Sequence, residues 1–74
     1  MENRLGSRIR AFRKLKNLTQ RELADRIHLS VAVLGAIERG AKTPSPHVLR
    51  AIGEALGIDE EELVGGIQGG GDTV

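Results

Sequence analysis

The 74-residue sequence has no cysteine, tryptophan or tyrosine, a single phenylalanine and only two prolines. Each absence excludes something. Without cysteine there are no disulfides and no thiolate metal sites, and the composition suits a reducing compartment, so a cytoplasmic location is expected. One aromatic, Phe12, cannot build a platform for stacking bases, and its helical spacing assigns it to a core. No apolar run approaches a membrane span, and the opening MENRLGSRIR lacks the apolar centre of a secretory signal; neither insertion nor export is expected. Asn17-Leu18-Thr19 matches a glycosylation acceptor, but without a signal it reads as a loop residue followed by a helix cap. The two histidines, His28 and His47, are far apart, and no glycine-rich phosphate loop sits in a strand-helix unit. The sequence therefore points to no enzyme, no metal site and no cofactor. With no second domain to hold a ligand, no small-molecule sensor is expected.

What is present is charge, unevenly placed. All eleven Lys and Arg lie in residues 1–50 beside four acids, a surplus of seven, while residues 51–74 hold six acids and no base. A basic body followed by an acidic end suits a polyanionic partner. A chain this short makes one small domain whose stability must come from helix packing.

The stretch Thr19 to Gly40, TQRELADRIHLSVAVLGAIERG, carries two short helical patterns across a three-residue break. Leu23, Ala24, Ile27, Leu29, Leu34 and Ile37 can all turn inward only if one helix ends near Ile27 and another begins after Ser30. Thr19 and Glu22 have the spacing of a capping box, and Ser30 suits the next N-cap. Small Ala24 lets the two helices cross closely. This is a helix-turn-helix.

Around it, residues 3–16 read as a first helix burying Leu5, Ile9, Phe12 and Leu15 or Leu18, with Arg8, Arg10, Lys14 and Lys16 outside. Asn17 breaks the chain before the second helix, and Gly40 ends the third. A fourth helix is expected from Ser45 or Pro46 to Gly57, burying Val48, Leu49, Ile52 and Leu56. Asp59 caps a short fifth, EEELV, whose Leu63 and Val64 close the core. The expected fold is all-α, a compact five-helix bundle in residues 1–64, with 65–74 a flexible glycine-rich tail.

On LTQRELA at 18–24, Ile27, LS at 29–30, IERG at 37–40, Pro44 and ALGI at 55–58, the chain resembles the lambda-repressor-like (Cro and repressor) helix-turn-helix family of bacterial and phage regulators. The resemblance covers about residues 5–64. It implies a transcription regulator that sets its third helix, about Val31 to Arg39, in the major groove of double-stranded DNA, usually as a homodimer. Gln20 matches the glutamine that opens the family's second helix and contacts phosphate or neighbouring side chains. Arg39, Lys42 and the backbone near Thr43 match a phosphate-gripping loop, with Arg10 and Lys14 as further phosphate candidates. Arg13 and Glu38 match a pair that forms a buried, structural salt bridge.

The sequence departs from the family on the third helix, where long polar side chains are usual. Here the outer face offers Val31, Ala32, Val33, Gly35 and Ala36. None can donate to a guanine; the valines and Ala32 suit thymine methyls, and Gly35 allows close approach. Reading by methyl contact, groove shape and deformability is expected. A different reading makes this apolar face a protein-docking surface on a domain with little DNA affinity. His28 stands where the family usually has a turn glycine, which predicts a strained turn.

Overall fold

The computed structural model describes residues 4–64. Five helices follow one another, α1 (Arg4–Leu15), α2 (Gln20–Arg26), α3 (Val31–Arg39), α4 (Pro46–Leu56) and α5 (Glu60–Val64), with no strand among the described residues. The expected tail, 65–74, lies outside them.

The starts of α2, α3 and α4 are capped as the sequence marks them. Thr19 Oγ1 accepts from the Glu22 amide at 3.0 Å while Glu22 Oε1 accepts from the Thr19 amide at 2.8 Å, a complete capping box. Ser30 and Ser45 accept from the amides of Val33 and Val48 at 3.1 and 3.2 Å. Pro46 takes the first turn of α4, where its missing N–H costs nothing.

The ends share one device. Asn17, His28, Gly40 and Gly57 all have positive φ, at 61°, 58°, 85° and 71°. In each case the next amide reaches back to the last turn: Leu18 to Arg13 O, Leu29 to Ala24 O, Ala41 to Ala36 O and Ile58 to Gly53 O, at 2.8–3.0 Å. These are Schellman motifs, which satisfy carbonyls the helix leaves orphaned. His28 adopts the left-handed conformation at a cost on the order of 1 kcal/mol. The break between α2 and α3 is thus a complete helix end with a less permissive residue at its pivot.

Ile9, Leu23, Ala24, Leu34, Ile37, Ile52, Leu56 and Leu63 form the buried core, drawing on all five helices. Against it pack Leu5, Phe12, Leu18, Leu29, Val33, Val48, Leu49 and Ile58. The alternative left open at the end of α1 resolves to Leu18, since Leu15 is 72% exposed. At 100° per residue it falls off the stripe of Leu5, Ile9 and Phe12, and Leu18, folded back by the turn at Asn17, takes the inner place. Arg8 is also less external than expected. Its Nε and Nη2 donate to the carbonyls of Leu63 and Glu62 at 2.9 and 2.6 Å, and its guanidinium lies 5.5 Å from the Phe12 ring centroid. A cation at these last carbonyls complements the α5 dipole and docks that helix on α1.

Candidate nucleic-acid interface

The third helix is fixed from the inside. Leu34, Ile37 and Glu38 are buried. Arg13 Nε and Nη2 donate to Glu38 Oε2 and Oε1 at 2.7 and 3.1 Å, a bidentate pair with side-chain exposures of 9% and 2%. Arg13 Nη1 also donates to Leu18 O at 2.8 Å, so one guanidinium joins α1, the α1–α2 turn and α3. Gln20 completes the arrangement, its Nε2 donating to Glu38 Oε1 at 3.1 Å. Both carboxylate oxygens of Glu38 are thereby engaged, which a buried charge requires.

A second contact was not visible in the sequence. A Cβ at Gly6 would stand 2.5 and 2.6 Å from the carbonyl oxygens of Ile37 and Glu38. The α1 backbone therefore rests directly on the last turn of α3, and only glycine permits that approach. A glycine inside an otherwise regular helical pattern signals such a contact without naming the partner.

On the outside, Ala32 is exposed, Val31 is 36% exposed and Ala36 is half-buried. Two expected members of this face are placed differently. Val33 is half-buried and packs on the core. Gly35 does not offer bare backbone: it is buried beneath side chains, with Arg39 Nη1 3.3 Å and Gln20 Nε2 and Oε1 3.6 Å from the position of an added Cβ.

Arg10, Arg13, Gln20, Glu38 and Arg39 line one cleft of about 320 Å³ between α1, the start of α2 and the end of α3. Of the expected phosphate residues this brings together Arg10, Gln20 and Arg39, the two arginines at its exposed rim. Lys14, on α1, and Lys42 and Thr43, in the loop after α3, are exposed and lie outside the cleft. Arg13 and Glu38 are its wall. Among the described residues no group of His, Cys, Asp and Glu could hold a metal ion, and no helix is long and apolar enough to cross a membrane.

A capped helix pair packed around a buried small residue, Ala24, with one helix fixed from within and flanked by exposed cations, is the architecture of helix-turn-helix DNA-binding proteins. Residues 9–63 match the helix-turn-helix family, and the chain belongs to it. It is 47% identical over 58 residues to the uncharacterized HTH-type transcriptional regulator YazB of Bacillus subtilis, covering 78% of this chain and 84% of that one. It is 44% identical over 61 residues to the immunity repressor of Bacillus phage phi105, 82% of this chain but only 42% of the repressor's length. Among solved structures it resembles the clp gene regulator ClgR of Corynebacterium glutamicum, with TM-score 0.83 and 34% identity over 90% of this chain and 71% of that one. It also resembles the restriction-modification controller protein C.AhdI of Aeromonas hydrophila, with TM-score 0.79 and 33% identity over 81% and 91%. The protein is a DNA-binding transcription regulator built on an all-helical scaffold.

Proposed function

We propose that the protein lays α3 in the major groove of double-stranded DNA, with Val31, Ala32 and Ala36 toward the base edges. The observation that carries this reading is the surface of α3 itself: small side chains that leave room for a groove, bordered by Arg10 and Arg39. Arg10, Lys14, Lys42 and the backbone at Thr43 grip the phosphates on either side. Gln20 serves mainly to hold Glu38, with its second amide hydrogen left for a phosphate oxygen. The methyl groups of Val31 and Ala32 meet thymine methyls. A homodimer on a two-fold site, acting in the cytoplasm, is the form in which such a domain regulates transcription, because one short helix reads too few base pairs. Of the apolar residues in and after α5 that could serve a dimer, Leu63 is buried within the chain and Val64 half-buried, and Ile67 lies outside the described residues. A protein-docking role for α3 is the weaker reading, since Val31 is the only large apolar side chain exposed on that helix.

Binding to random duplex across a series of salt concentrations tests the proposal. Three phosphate-contacting cations predict affinity falling with salt at a log–log slope of about −3 per chain. No detectable binding at low salt overturns it.

A further inference from the structure

The outward side chains of α3 at Val31, Ala32 and Ala36 contain no hydrogen-bond donor. The structure supplies one from a full turn away. Side chains on a helix tilt toward its N-terminus, so residue 39 covers the surface above residue 35. The guanidinium of Arg39 does lie there, Nη1 standing 3.3 Å from where a Cβ of residue 35 would be. Any side chain at position 35 would contest this space.

Two neighbours keep the guanidinium available. Glu38, the adjacent acid, has both oxygens occupied by Arg13 and Gln20. Gln20 is held by Glu38 and stands 3.6 Å from the same point above Gly35, walling the guanidinium on the α2 side. Among the described residues no carboxylate pairs with Arg39. An unpaired planar fork therefore lies along a face whose other members are Val31, Ala32 and Ala36. That fork matches the two acceptors, O6 and N7, that guanine alone presents together in the major groove.

We infer that Arg39 is a specificity-determining residue that reads a guanine from its seat over Gly35, and not a member of the phosphate grip. The inference rests on the DNA reading above and gives it the polar contact that the α3 face lacks. Gly35 becomes the seat of a side chain reaching back from the end of the helix.

Selection of duplexes from a random pool with the 74-residue chain, followed by titration of wild type, Arg39→Ala and Arg39→Lys, tests it. Each protein is titrated with the selected duplex and with one carrying adenine in place of the enriched guanine, at two salt concentrations. Wild type should enrich one guanine per half-site and lose roughly ten- to a hundredfold in affinity on its replacement. Both variants should bind the two duplexes within about twofold of each other, and Arg39→Lys, which keeps the charge, should keep the wild-type salt slope. Because Arg39 is exposed, thermal melts should show all three proteins equally folded. Selection without an enriched guanine overturns the inference alone. So does Arg39→Ala losing affinity equally for both duplexes with its discrimination intact, the mark of a phosphate contact. A wild-type chain that binds no duplex overturns both this inference and the DNA reading beneath it.

Discussion

Gly6 and Gly35 are both glycines inside helices, and each leaves a gap that something else fills. At Gly6 the filler is backbone: the carbonyls of Ile37 and Glu38, fixed in the last turn of α3. At Gly35 it is the flexible ends of Arg39 and Gln20. The first gap can be closed only by moving a helix, the second by moving a side chain. The difference separates a gap closed by fixed backbone from one filled by movable side chains. A helical glycine costs about 1 kcal/mol against alanine wherever it stands, so each must be offset by what its missing side chain admits. Gly6 admits the docking of α1 on α3; Gly35 admits a guanidinium.

The two glycines are linked through Glu38, whose carbonyl meets Gly6 and whose carboxylate holds Gln20 beside Gly35. Glu38→Ala strands the Arg13 guanidinium, which is 9% exposed, and should destabilise by about 3 to 5 kcal/mol. That is most of the stability of a domain this small. Chemical denaturation should place its midpoint far below wild type, and an unchanged midpoint would show that the pair is not buried in solution. Gly6→Ala comes next, at about 1 to 3 kcal/mol of destabilisation, because a Cβ must push two carbonyls aside. Gly35→Ala should have the smallest effect and the opposite sign, stabilising by up to about 1 kcal/mol as helix propensity outweighs a slight shift of Arg39. Equal effects at the two glycines, measured by thermal melts, would break the comparison.

Much of the fold was legible because helix ends are decided locally. Thr19, Ser30 and Ser45 each place one hydroxyl over the first turn, and that geometry follows from spacing within three residues. The Arg13–Glu38 pair came from family resemblance, since nothing local joins residues 25 apart. The site was less legible for the same reason. That Arg8 caps α5, that Gly6 touches Ile37, and that Gln20 and Arg39 meet over Gly35 all depend on how separate elements are set against each other or on where a long side chain comes to rest. Leu15 and Val33 show the remaining source of ambiguity. Both are apolar residues at the border of a helical stripe, where a few tens of degrees decide which side faces the core.

The four left-handed turns differ in the residue that comes next. After Asn17, His28 and Gly57 come Leu18, Leu29 and Ile58, each packed on the core, so the ends of α1, α2 and α4 cannot loosen without opening the interior. After Gly40 comes Ala41, which is exposed, and then the exposed Lys42 and Thr43. That one stop is anchored by its backbone bonds alone. Fewer buried contacts hold that stop than the other three, so local opening there should cost less, and amide hydrogen exchange should be faster at Ala41 than at Leu18, Leu29 or Ile58.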